Sequence, residues 1–157
     1  MDVMLVGGVS PMMRNLSLKL HKEGHRIYVL SGNRNPSEHY EYVFERYDFP
    51  YSADSVKEVF RSVNPDVTVI LGAFDSNFHE KDSKKEAVAY TAGLQNILLS
   101  WAAIDKGRLI YLSSVDVYGN SFQAPVTEAV SPVPFGIRAT TLLQAEESCK
   151  FYKETCQ

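Results

Sequence analysis

The sequence predicts an α/β fold in three layers, a parallel sheet covered by helices on both faces. Short apolar runs rich in β-branched residues alternate with longer segments of helical period, as strands and crossover helices do. The first run ends in a glycine turn that opens straight into a helix, the usual start of a doubly wound sheet. No internal repeat or low-complexity tract competes with this organisation, and 157 residues suffice for one well-filled core but not for two ordinary domains.

The strand runs are residues 3–6, 26–30, 67–71 and 109–112, and a weaker one lies between Tyr42 and Asp48, where Tyr42, Phe44 and Tyr47 alternate imperfectly. Residues 11–22 carry Met12, Leu16 and Leu20 at four-residue steps, which predicts a crossover helix. A second helix is expected over 55–63, capped by Asp54 or Ser55. Residues 84–104 gather Ala87, Tyr90, Leu94, Ile97 and Trp101 on one face, while Val88, Leu99 and Ala103 leave other faces partly apolar, so this helix is expected to have two packing partners. The segment 139–156 repeats the pattern with Leu142, Ala145, Cys149 and Tyr152, and no Gly, Pro or strand run follows it. The fold is therefore expected to be cut off inside this helix.

Composition narrows the function. Sixteen basic and 19 acidic residues give a net charge of −3 without a block of either sign, which argues against nucleic acid and anionic membrane and for small dissolved partners. Met1-Asp2 leads into the first apolar run without the basic flank of a secretory signal, and residues 94–104, interrupted by Gln95, Asn96 and Ser100, are too short to span a bilayer. A cytoplasmic location is expected. Cys149 and Cys156 form no Cys-x-x-Cys pair and read as reduced packing residues, while His21, His25, His39 and His79 lack metal-ligand spacing.

Candidate binding residues collect where the strand runs end. Val6-Gly7-Gly8-Val9-Ser10-Pro11-Met12-Met13 is the strand–turn–helix junction at which such folds seat a pyrophosphate on helix amides, although a plain tight turn also accounts for the two glycines. After the second run, the place of the acidic residue that usually binds the adenosine ribose is taken by Ser31-Gly32-Asn33-Arg34. The missing carboxylate removes repulsion of a 2′-phosphate and Arg34 can pair with one, which tilts the choice from NAD toward NADP. The fourth run ends in Leu71-Gly72-Ala73, small enough for a ribose to lie close.

The most specific segment is Leu109-Ile110-Tyr111-Leu112-Ser113-Ser114-Val115-Asp116-Val117-Tyr118-Gly119. It resembles the Ser-Ser-x-x-Val-Tyr-Gly signature of extended short-chain dehydrogenases, the NAD-dependent epimerase/dehydratase family. The whole chain is similar to the first half of such a protein, its Rossmann-like doubly wound parallel sheet, truncated before the substrate domain. The resemblance implies one NAD(P)-binding domain over 1–157, a sugar-nucleotide substrate, and a homodimer joined through helices 84–104 and 139–156. It also implies a cofactor site at Gly7, Gly8, Ser10, Met13, Ser31, Asn33, Arg34, Leu71, Gly72, Ala73 and Ser113. In the family the glycine turn resembles Gly-x-x-Gly-x-x-Gly, so Ser10 and Met13 stand at glycine positions and are expected to weaken binding.

Catalytic roles carry over in the same way. Ser114 takes the hydroxyl position that orients the reacting substrate oxygen. Dehydratases carry an acidic pair next, and Val115-Asp116 leaves one carboxylate at most, which disfavours that branch. The prolines at 125, 132 and 134 and Gly136 set the register of the following Tyr-x-x-x-Lys motif, placing Phe135 at the tyrosine and Ala139 at the lysine. Phenylalanine has no proton to exchange, and alanine neither lowers a phenol pKa nor holds a nicotinamide ribose. Arg138 is about 100° away around the helix. Phe135 and Ala139 are expected on its first turn, both facing an open cleft. The implied function is an NAD(P)-binding domain of a catalytically impaired sugar-nucleotide epimerase relative. Two alternatives are an active NAD(P)-dependent epimerase or reductase with another acid–base group, such as Ser114 or Asp116, and a cofactor-free binding or assembly module.

Overall fold

Parallel strands buried on both faces need near-continuous apolar runs, and the chain supplies them in the order that a sheet with crossover helices requires. The computed structural model describes residues 1–7, 10–31, 42–48, 52–71, 83–119 and 125–155. Its elements are β1 (Asp2–Val6), α1 (Pro11–Lys22), β2 (Arg26–Ser31), β3 (Glu45–Asp48), α2 (Ala53–Val63), β4 (Val67–Leu71), α3 (Ser83–Ala102), β5 (Arg108–Leu112), a 3-10 turn (Val115–Tyr118) and α4 (Gly136–Thr155). The strands form one parallel sheet in the order β3-β2-β1-β4-β5, a Rossmann-like arrangement.

Alternating side chains of these strands feed two cores. On one face Met4, Val6, Tyr28, Leu30 and Ile70 pack with Val56, Val59 and Phe60 of α2, Tyr90, Leu94 and Ile97 of α3, and Leu142 and Ala145 of α4. On the other, Val3, Leu5, Ile27, Val29, Val69 and Leu71 pack with Met13, Leu16 and Leu20 of α1. Among the described residues the sheet is thus covered unevenly, by three helices on one side and by one on the other.

The structure adjusts several expectations. The weak run becomes β3, but the strand is only its last four residues, so Tyr42 and Phe44 precede it, with the Phe44 amide donating to the Ile27 carbonyl of β2 at 2.8 Å. Helix α2 begins at Ala53 with Ser52 in the cap position, so neither Asp54 nor Ser55 is the cap; Asp54 lies in the first turn, where its charge suits the helix dipole. The buried stripe of α1 is rotated by one residue from the expected one. Met12 is 58% exposed, whereas Met13 and Ser17 are fully buried beside Leu16 and Leu20. Ser17 is tolerated there because its hydroxyl donates to the Arg14 carbonyl at 2.9 Å. Among the described residues no helix is long and apolar enough to cross a membrane.

Candidate functional site

The carboxyl ends of β1, β2 and β4 meet at Gly7. Its amide donates to the Leu30 carbonyl at 3.1 Å. Its φ of +141° is open to glycine, and a Cβ there would sit 3.1 Å from the Leu71 carbonyl oxygen. The absence of a side chain therefore lets the first turn press against the end of β4, and Gly7, Ser31 and Leu71 lie at adjoining strand ends. Ser31 is fully buried.

The start of α1 departs from an anion cradle. Ser10 is its cap, with extended backbone, and its Oγ accepts the Met13 N–H at 3.2 Å. Pro11 has no N–H, and the Arg14 amide donates to the Ser10 carbonyl at 3.0 Å. Of the first-turn amides that usually point at a phosphate, only that of Met12 is left outside these bonds. Met13 is fully buried, wedged among Val3, Leu5, Val69 and Leu71, where a glycine would let helix and strand touch. For a dinucleotide, Gly7 fits and the start of α1 does not. Gly8, Asn33, Arg34, Gly72 and Ala73, the other expected cofactor residues, lie outside the described residues.

The signature after β5 folds into the 3-10 turn. Ser113 is exposed and Ser114 half-buried. Ser114 caps the turn, accepting the Asp116 amide on its Oγ at 3.3 Å, a bond that does not use its own O–H. Val117 anchors the turn in the core, and Gly119 brings it against the proline-rich segment. A Cβ on Gly119 would lie 2.5 Å from the Val133 carbonyl oxygen, so only glycine permits this contact. The same contact brings the signature to the start of α4.

At that start Phe135 immediately precedes the helix and is 77% exposed, whereas Ala139 is 3% exposed. Both are expected to face an open cleft; Ala139 is instead buried, while Phe135 is exposed. Ala139 begins the buried stripe Ala139, Leu142, Ala145, because positions three apart share one helix face. Arg138 points elsewhere, and its Nε lies 3.3 Å from Asp116 Oδ2. This bridge, between two residues considered only separately in the sequence, ties the signature to α4. It also engages the one carboxylate proposed as a substitute proton carrier. The charges were visible, but the contact depends on how the 3-10 turn packs on α4.

Residues 3–155 match the NAD dependent epimerase/dehydratase family. No curated protein matches the sequence. Solved structures similar to this chain include the UDP-glucose 4-epimerase of Thermus thermophilus in complex with NAD, 18% identical with a TM-score of 0.85, covering 99% of this chain and 51% of that one. The UDP-glucose 4-epimerase of Thermotoga maritima with UDP-glucose is 16% identical, with a TM-score of 0.81 over 99% of this chain and 52% of that one. That of Brucella ovis in complex with NAD is 18% identical, with a TM-score of 0.80 over 98% and 48%. The chain spans about half the length of these proteins. A match across nearly every residue, on a parallel sheet whose strand ends carry the glycine turn and the Ser-Ser signature, places the chain in the NAD dependent epimerase/dehydratase family.

Proposed function

We propose that this chain is the dinucleotide-binding half of a sugar-nucleotide epimerase relative, holding an NAD-type cofactor weakly and lacking the groups for proton-coupled hydride transfer. The observation that supports this reading is the start of α4, where exposed Phe135 and buried Ala139, the residues that the sequence register assigns to the tyrosine and lysine positions, adjoin the turn that carries Ser114. A phenylalanine ring neither gives nor takes a proton, and loss of a general acid or base typically lowers a rate ~10²–10⁴-fold. The cofactor would lie across the ends of β1, β4 and β5, against Gly7, Leu71 and Ser113. Ser31, in place of a carboxylate, leaves room for NADP as well as NAD. We place the protein in the cytoplasm, as a homodimer through α3 and α4. Support for the dimer comes from Val88, Leu99 and Phe151, which are 71%, 56% and 59% exposed on these two helices.

Calorimetric titration with NAD, NADH and NADPH tests the binding, alongside an epimerisation assay on UDP-glucose. Expected are dissociation constants of roughly 0.1–1 mM, about 4–5.5 kcal/mol of binding free energy, and no turnover. Turnover would restore the active-enzyme reading. Absence of heat at millimolar cofactor would favour the cofactor-free module, a reading to which the self-capped start of α1 lends weight. Trp101 is a poor fluorescent reporter for this purpose, because it lies beside Arg108 at the foot of β5, opposite the strand ends.

A further inference from the structure

The end of α3, the turn that follows it, the foot of β5 and part of α4 enclose a cavity of about 660 Å³, ample for a small organic molecule. Its walls are apolar: Trp101, Leu109, Tyr111 and Cys149 line it and pack against the core beneath. Burial raises the pKa of the Tyr111 phenol and of the Cys149 thiol, so neither wall group is charged at neutral pH. The indole of Trp101 contributes a donor in need of an acceptor, since its Nε1 is buried with no hydrogen-bond partner among the described residues. Charged residues line the cavity too, and two of them are already committed. Lys106 Nζ lies 3.1 Å from Asp66 Oδ1, and Lys150 Nζ lies 2.7 Å from Glu147 Oε1. Asp105 and Arg108 remain. Both are exposed, and neither side chain has an ion-pair or hydrogen-bond partner among the described residues.

The turn that carries these two charges is held in place. A Cβ on Gly107, whose φ is +91°, would lie 2.6 Å from the Pro65 carbonyl oxygen, so the turn rests directly on the residues that lead into β4. The Asp105 amide donates to the Ala102 carbonyl at 3.2 Å and the Arg108 amide to the Asp66 carbonyl at 2.9 Å, which fixes both ends. An acid and a base that line one apolar cavity without pairing with each other match a ligand that carries both charges itself. The carboxyl end of α3 adjoins Asp105 and has no basic residue in its last turn, so its dipole favours a cation on that side. A carboxylate belongs with the Arg108 guanidinium, whose planar fork can hold both of its oxygens. We propose that this cavity binds a free α-amino acid with an apolar or aromatic side chain. Its ammonium pairs with Asp105, its carboxylate accepts from Arg108 and from the Trp101 N–H, and its side chain lies between Trp101, Leu109 and Tyr111. A plain hydrophobe would leave both charges unanswered, and an inorganic anion would leave the apolar walls bare. Arg108 opens β5 and Ser113 follows its end, so the rise of the strand sets the two about 16 Å apart. The proposal is therefore independent of whether a cofactor binds at the strand ends.

Trp101 is the only tryptophan of the chain, so a single indole N–H resonance reports on this cavity. The test follows that resonance by NMR in the 157-residue chain during titration with four probes. These are L-phenylalanine, hydrocinnamate, which lacks the ammonium, phenethylamine, which lacks the carboxylate, and glycine, which lacks the side chain. L-phenylalanine should give a saturable shift with a Kd of about 1 mM or below, and each truncated probe should bind about tenfold or more weakly. NADH should not displace it. Arg108→Gln should lower the affinity for L-phenylalanine about tenfold and leave that for phenethylamine unchanged, and Asp105→Asn should act in the same way with respect to hydrocinnamate. Asparagine tolerates a positive φ as aspartate does, and the bond from residue 108 to Asp66 is made by the backbone, so both variants keep the turn. If either variant nevertheless unfolds, the four probes on the unchanged chain decide alone. No saturable shift at about 10 mM L-phenylalanine overturns the proposal. So does equal affinity for hydrocinnamate or for phenethylamine, which would make the cavity a site for plain organic anions or cations. Displacement by NADH overturns it by moving the ligand to the strand ends. A resonance that shifts with protein concentration alone also overturns it, because a second copy then fills the cavity.

Discussion

Ser10 determines how much of the positive end of α1 is left for a ligand. Its hydroxyl takes the Met13 amide and Pro11 contributes none, so the helix is closed by its own residues before any phosphate arrives. Ser10→Gly should reopen it. Glycine is itself an acceptable cap, costing only about a few tenths of a kcal/mol relative to serine, while the freed amide returns to the dipole end. NADH affinity should rise about three- to tenfold by calorimetry, and unchanged or weaker binding would show that the cap is not what limits it. A second residue acts on stability alone. Thr68 is fully buried in β4 and its Oγ1 has no hydrogen-bond partner among the described residues. Thr68→Val keeps the shape and removes an uncompensated desolvation, so urea denaturation should show a gain of about 1 kcal/mol. A loss of stability would mean that the hydroxyl is satisfied in solution. Both residues were plain in the sequence, yet their roles were legible to different degrees. Serine before proline is a helix-start signal, whereas at a glycine position of the turn Ser10 reads only as added bulk. Nothing in the sequence marks Thr68, because a threonine in a strand is ordinary until its neighbours are known.

The long helices α3 and α4 join each other through polar groups as well as apolar ones. Gln95 Nε2 donates to Ser148 Oγ at 3.1 Å, and the Tyr152 hydroxyl donates to Gln95 Oε1 at 3.3 Å. Their outward apolar residues are what a dimer would use. Leu99→Glu should turn a sedimenting dimer into a monomer while changing stability by less than about 0.5 kcal/mol, and a wild-type monomer at high concentration would dispose of the interface. Leu143 suits this test less well, since it is half-buried and packs against the core. Beneath these helices the Tyr90 and Tyr111 hydroxyls lie 2.6 Å apart. Burial pushes the Tyr111 phenol up to about 12 and the Cys149 thiol up to about 11. The folded protein thus holds these protons at pH values where the unfolded chain, with its Cys149 thiol near 9 and its Tyr111 phenol near 10, releases them. Their contribution is fully present below about pH 9 and is lost as pH climbs toward 11 and 12. The urea midpoint should fall over that window, and Cys149→Ala should flatten its lower part. A midpoint level to about pH 11 would contradict the burial argument. Periodicity gave the limits of α1 at once, but a four-residue step did not say which of Met12 and Met13 faces inward. That depends on where the capped first turn sets the helix against β1.

Across the whole molecule, the alternation of apolar runs was enough to predict a parallel sheet with crossover helices, and the Ser-Ser-x-x-Val-Tyr-Gly stretch was enough to suggest the family. Uneven cover of the sheet was not legible, because a run such as residues 109–112 reads the same whether one face or both are buried. Nor was the burial of Ala139, since a helical stripe is fixed only when the helix finds its neighbour. Strand order has a further consequence, for the way the protein is made. Of the five strands, the first to leave a ribosome is the one at the centre, where Val3 pairs with Ile27 on one side and Val67 on the other. The first pairing is available early; the second waits for a much longer stretch of chain, with the entropy of closing that loop still to be met. The nascent chain therefore carries β1 with one bare edge until β4 emerges. During that interval an apolar strand is open to the wrong partner, and this is when the protein is most exposed to aggregation and most dependent on chaperones.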